Sequence, residues 1–179
     1  MTRSAVFLDR DGVINRTFIR DGTPHPPVSL RDLEILPHVP EALSALKAQG
    51  YSLVVVTNQP DVARGTASRE LVDSIHERLK AELGLDAFFT CFHDDADECD
   101  CRKPKPGLLF RAAHDLAIDL SSSFMVGDRW RDVEAGRRAG CRTLFVDGSY
   151  RETPPSSYDF RVGSLLEASG IILAEADSR

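Results

Sequence analysis

The chain has little of what marks membrane, secreted or nucleic-acid-binding proteins. No apolar run approaches the roughly 18–20 residues that a bilayer-crossing helix needs. Its longest apolar stretches, such as Leu53 to Val56, are strand-sized, so no membrane association is expected. The N-terminal MTRSAVFLDRDG lacks the long apolar segment and small-residue cleavage site of a secretory signal, and a cytoplasmic location is the expectation. Basic residues are in deficit, 22 Lys and Arg against 28 Asp and Glu, which argues against a nucleic-acid partner gripped through its phosphates. Cysteine is scarce too. Three of the four crowd between Cys91 and Cys101 and Cys141 stands alone, a spacing that suits a metal better than a disulfide framework.

What is present is ordinary globular material. With 179 residues, 42% hydrophobic and 28% charged, the chain fits one domain over residues 1–179 with a packed core. Ala5 to Leu8 reads as a buried strand delivering Asp9 at its end, and Tyr51 to Thr57 as a second strand running into Asn58 and Gln59. Between them lie a polar, proline-bearing stretch around Asp21 to Pro27 and a helix from about Pro40 to Gln49. Ser68 caps a helical pattern that Gly84 stops. Further strands are expected at Ala87 to Phe92, Ser123 to Val126 and Arg142 to Val146, with helices near 106–116 and 130–139 between them and an edge strand and helix near Phe160 and Leu165. Alternating strands and helices predict an α/β fold, a doubly wound parallel sheet with helices on both faces. In such sheets ligands bind beyond the carboxyl ends of the strands, where Asp9, Thr57 and Asp128 converge.

Asp9-Arg10-Asp11-Gly12 puts two carboxylates two residues apart at a strand end, with a glycine for the turn. One carboxylate can attack phosphorus while the other moves protons. An anionic nucleophile facing an anionic phosphate needs positive charge, which Arg102, Lys103 and a divalent cation can supply. Asp128 and Asp132 offer the oxygen ligands that Mg2+ prefers. Separately, Cys91-Phe92-His93 and Cys99-Asp100-Cys101 present three thiolates and an imidazole, a set suited to a structural, tetrahedral Zn2+ that pins a loop running into Arg102 and Lys103.

In motif and in order, FLDRDG, VVVTNQ, CRKP and VGDRWRD resemble the haloacid dehalogenase superfamily of phosphohydrolases, over about Ala5 to Val146. The resemblance implies that Asp9 becomes an aspartyl-phosphate, Asp11 is the general acid and base, Thr57 hydrogen-bonds the phosphoryl group and Lys103 stabilises its charge. It implies Mg2+ held by Asp9, the backbone carbonyl of Asp11 and Asp128, with Asp132 supporting that site or joining it. The short spacings between motifs leave no room for a large cap domain.

Within the superfamily the chain is similar to the heptose-bisphosphate and histidinol phosphatases. TNQPDVARG and CDCRKPKPG resemble the former, DECDCRKPK is equally at home in the latter, and Ala63-Arg64-Gly65 favours the former. Removal of the C7 phosphate of a heptose bisphosphate by a monomer is thus expected, with histidinol phosphate as the alternative substrate. By the same resemblance Thr17, Phe18, Ile19, Arg20, Asn58, Gln59, Pro60, Arg64, Arg102 and Arg129 contact the small phosphorylated sugar. Pro60-Asp61 replaces the usual small polar residue and glycine, and Arg129 replaces a common lysine. A catalytically silent phospho-ligand-binding relative would be expected to have lost one of Asp9, Asp11, Thr57, Lys103 and Asp128, and all five are present.

Overall fold

A computed structural model describes residues 3–148 and 150–177. Six strands form one parallel sheet: β1 (Ala5–Leu8), β4 (Ser52–Asn58), β5 (Ala87–Cys91), β6 (Phe124–Gly127), β7 (Arg142–Val146) and β8 (Phe160–Val162), in the order β5-β4-β1-β6-β7-β8. Parallel strands covered on both faces need apolar residues at every position, and the AVFL of β1 is buried throughout. Alternation of side chains divides the strands between two cores. Val6, Leu8, Leu53, Val55, Phe124 and Val126 pack on one face, against α1 (Val39–Ala48), α2 (Arg69–Leu83) and α5 (Leu165–Asp177). Ala5, Phe7, Val54, Val56 and Met125 pack on the other, against α3 (Gly107–Leu116) and α4 (Trp130–Ala139).

The chain leaves β1 for α1 on one face and β6 for α4 on the other. Adjacent strands whose connections diverge in this way open a crevice at their carboxyl ends, and Asp9 and Asp128 stand on its two sides. Local signals set the helix ends. The Ser68 hydroxyl accepts from the Leu71 N–H at 3.1 Å to cap α2, and Gly84 stops the helix in the left-handed region at φ 64°.

The polar stretch expected at Asp21 to Pro27 is instead half of a β-hairpin, β2 (Phe18–Arg20) with β3 (Thr23–His25). Asp21 and Gly22 form its two-residue turn at φ 50° and 81°, the positive pair for which Asp-Gly is suited. This hairpin and the loops alone follow β1 before α1, and α2 alone separates β4 from β5, so no large cap covers the sheet. Among the described residues no helix is long and apolar enough to cross a membrane.

Candidate active site

Asp9, Asp128 and Asp132 bring carboxylate oxygens within 4.8 Å of one another, and all three are buried. Lys103, only 2% exposed, reaches in from the far side. Its ammonium donates to Asp9 Oδ1 at 2.8 Å and to the Val56 carbonyl at 2.7 Å, and it pairs with Asp132 Oδ1 at 2.6 Å. Burial alone would lower the lysine's pKa, but Asp132 and Asp9 outweigh it and hold the side chain charged. Asp132 does double duty, since its other oxygen accepts from the Arg129 N–H at 3.0 Å and fixes the start of α4.

Three carboxylates and one ammonium carry a formal charge of −2 when all are ionised. The electrostatics register it: burial and then Asp132 raise Asp9 from 3.8 to about 6, and burial, Asp9 and Asp132 raise Asp128 well above its ordinary value. Both Asp128 oxygens are buried, and the Tyr150 hydroxyl is the one donor that acts on them among the described residues. Three converging buried carboxylates with so few donors fit a hard divalent cation. Gly12, at φ 89°, is needed here because a Cβ would lie 2.0 Å from Asp128 Oδ2.

Asp11 is held in a cage of donors. It accepts from Arg10 Nη2 at 3.0 Å, Asn15 Nδ2 at 2.9 Å and Gln59 Nε2 at 2.8 Å. Burial pushes its pKa up, but the Arg10 charge and the bonds from Asn15, Arg10 and Gln59 prevail and hold it below the usual carboxylate range. Arg10 is 1% exposed and also donates from Nη1 to His76 Nε2 at 3.1 Å. A guanidinium only donates, so that ring nitrogen accepts and the imidazole is neutral. Burial and Arg10 push His76 down to about 3, in keeping with this. Neither Arg10 nor Asn15 was anticipated from sequence. The only signal was a charged residue between two carboxylates at the end of a fully apolar strand.

Above the cluster opens a cavity of about 300 Å³. Of the residues assigned to substrate from sequence, Thr17, Asn58, Gln59, Pro60, Arg64, Arg102 and Arg129 line it. Phe18, Ile19 and Arg20 do not; the hairpin turns Thr23, Pro24 and His25 toward it instead, while Ile19 is 56% exposed. Thr57 is buried and outside the lining, its hydroxyl accepting from Gln59 Nε2 at 2.9 Å. Asn58 clasps the Lys103 backbone with two hydrogen bonds of 3.1 Å. Arg64 is engaged by Asp94 at 2.6 and 2.8 Å, and Arg129 by both oxygens of Glu152. Arg131, overlooked in the sequence, also lines the cavity.

Cys91 at the end of β5 and His93, Cys99 and Cys101 in the loop after it point at one another. Their sulfurs lie 3.2–3.7 Å apart, and His93 Nδ1 is 3.6 and 3.3 Å from Cys91 and Cys101. All four cysteines are free, and these separations far exceed a disulfide bond. A tetrahedral zinc with ligands at about 2.3 Å (S) and 2.0–2.1 Å (N) has edges of roughly 3.6–3.8 Å, which the cluster approximates. It could therefore hold a metal ion.

The fold and the strand-end carboxylates together define a class, and a sequence profile of the haloacid dehalogenase-like hydrolases matches residues 16–140. The chain belongs to that family. It is 42% identical over 158 residues to D-glycero-beta-D-manno-heptose-1,7-bisphosphate 7-phosphatase of Photorhabdus laumondii, covering 80% of this chain and 81% of that protein. The protein of the same name from Vibrio cholerae is 41% identical, with 82% of each chain covered. The crystal structure of D,D-heptose 1,7-bisphosphate phosphatase from B. bronchiseptica complexed with magnesium and phosphate superimposes with a TM-score of 0.78 at 30% identity, over 96% of this chain and 99% of that one.

Proposed function

We propose that this chain removes the 7-phosphate of a heptose 1,7-bisphosphate through an aspartyl-phosphate on Asp9. The observation that carries the reading is the buried carboxylate cluster with its formal charge of −2, set at the crevice between β1 and β6 under a cavity rimmed by arginines. The named relatives supply the sugar. Asp9 and Asp128 would hold Mg2+, with the Asp11 carbonyl as the third protein ligand, and the bound ion offsets the charge of phosphate and nucleophile. Asp132 acts on Lys103 rather than as a first choice of ligand, since one of its oxygens is committed to the ammonium and the other to the α4 start.

In the first half-reaction an Asp9 carboxylate oxygen attacks phosphorus. The bond to the sugar oxygen breaks, and that oxygen takes a proton from Asp11. In the second, the ionised Asp11 removes a proton from water, whose oxygen attacks the aspartyl-phosphate and releases inorganic phosphate with Asp9 regenerated. The Arg10, Asn15 and Gln59 bonds favour the ionised Asp11 required in the second half. Lys103 tethers Asp9 and meets the charge that develops on the phosphoryl oxygens. The cysteine and histidine cluster takes a structural Zn2+ in this reading, leaving no ligand position open to substrate.

Comparing kcat/KM for the heptose bisphosphate and histidinol phosphate tests the substrate, because discrimination is a ratio of that quantity. The bisphosphate should be preferred by at least a hundredfold; equal values would overturn the sugar assignment. Asp9→Asn should abolish turnover of either, and a variant with near-normal activity would remove Asp9 as the nucleophile.

A further inference from the structure

One buried histidine outside the cavity reaches the reacting groups through a single intermediate. His76 is among the buried residues of α2, 8% exposed, and its ring stacks on Phe88 of β5 with centroids 4.5 Å apart. Its Nε2 accepts from Arg10 Nη1 at 3.1 Å. The opposite edge of that guanidinium meets Asp11: Nε donates to Oδ2 at 3.2 Å and Nη2 to Oδ1 at 3.1 Å. Among the described residues His76 and Asp11 are the partners of the Arg10 side chain, and neither His76 nor Arg10 lines the cavity.

A guanidinium is planar and its donors form a rigid fork, so fixing Nη1 fixes the direction in which Nε and Nη2 point. The main chain holds the other end of the residue, because the Arg10 carbonyl accepts from the Ile14 and Asn15 N–H groups at 2.9 and 3.1 Å. Without an acceptor at position 76, Nη1 would be a buried donor with no partner, a cost that turning away from Asp11 would relieve. Packing alone does not ask for histidine here. A phenylalanine would also stack on Phe88, but it would offer Nη1 no acceptor.

We infer that His76 is a positioning residue for the reaction: it aims Arg10, and Arg10 holds the Asp11 carboxylate where protons pass to the leaving oxygen and from water. This rests on the reading of Asp11 as general acid and base, and is independent of which sugar is the substrate. His76 touches no substrate atom in this scheme, so its loss falls on kcat and leaves KM nearly unchanged.

The test measures kcat, KM and melting temperature for the wild type, His76→Gln and His76→Phe, on whichever of heptose 1,7-bisphosphate and histidinol phosphate the wild type prefers. The glutamine amide oxygen can stand in for Nε2 as the acceptor, whereas phenylalanine keeps the stacked ring and removes the acceptor. His76→Phe should lower kcat about tenfold or more with KM within about twofold, the effect of losing a bond to a charged group that places a reacting one. His76→Gln should keep kcat within about threefold of the wild type. A residue that only packs predicts the opposite order. That order, equal kcat in the two variants, or a loss confined to KM would overturn the inference. If melting shows that His76→Phe is unfolded, the Arg10→Met background decides, since no donor is then left unpaired: kcat equal to that of Arg10→Met alone supports the inference, and a further fall of about tenfold removes it. An Asp11→Asn variant with wild-type kcat would overturn the acid and base reading, and this inference with it; an inactive Asp11→Asn beside His76 variants in the wrong order overturns this inference alone.

Discussion

Withholding the divalent cation should make the stability of the protein depend on pH in a way traceable to Asp9. In the folded chain its pKa stands at about 6 against an ordinary 3.8. A carboxyl raised on folding binds its proton more tightly in the folded state, so its contribution is fully present below about pH 4 and is lost as pH rises to 6. At 1.36 kcal/mol per pH unit the loss is about 3 kcal/mol. Asp128, raised by burial and by Asp9, acts in the same direction. Magnesium at a hundred times its dissociation constant should return about 2.7 kcal/mol.

Urea unfolding at pH 4 and pH 7.5, with and without 10 mM Mg2+, measures both effects. No strong chelator should be used, since it would also remove the zinc proposed for the cysteine and histidine cluster. Other groups titrate over this range, so the informative quantity is the difference between wild type and Asp9→Asn. Cation-free wild type should lose about 3 kcal/mol more than the variant on going to pH 7.5, and Mg2+ should recover most of it. Equal pH profiles, or equal stabilisation of both proteins by Mg2+, would refute the charge argument.

Lys103→Met should destabilise the fold by about 3–5 kcal/mol, the usual cost of stripping one partner from a buried ion pair; adding Asp132→Asn should recover part of this in the same unfolding assay. Arg10→Met and Gln59→Leu both remove support for ionised Asp11, so its pKa should rise and the acidic limb of the kcat–pH profile should move up by about one unit for the arginine and less for the glutamine. Protein purified without chelator should carry about one zinc per chain by elemental analysis, for four ligands, and Cys99→Ser should bring that below half with a lower melting temperature.

Much of this is legible in the amino-acid sequence. Short, uniformly apolar runs rich in β-branched or aromatic residues, such as AVFL and VVV, fit strands covered on both faces, and each ends in the polar residues that meet at the crevice. The cysteine and histidine spacing pointed to a ligand set that does converge. The hairpin at Phe18–His25 was missed because its strands are three residues each and carry too little alternation to register, although Asp21-Gly22 is a strong turn pair. The Asp11 cage was invisible for another reason. Arg10, Asn15, Gln59 and His76 come together only when β1 and β4 pair and α2 folds across them, and a buried arginine has no signature in composition. The pairing of Arg102 and Arg131 through Asp95 likewise spans 36 residues, and no local pattern reports it.

The cysteine cluster bears on how quickly and how tightly a ligand is taken up. A side chain that must be ordered on binding forfeits about 0.5–1.5 kcal/mol of affinity in lost rotamer freedom. Arg102 surrenders that freedom during folding, because the loop from Cys91 to Cys101 is cross-braced by four side chains and the arginine is packed against the His93 carbonyl. Among the described residues no large cap stands over the cavity, so pre-ordering of the rim falls to loops such as this one. Arrival and departure of the proposed substrate then need no large domain to open or close.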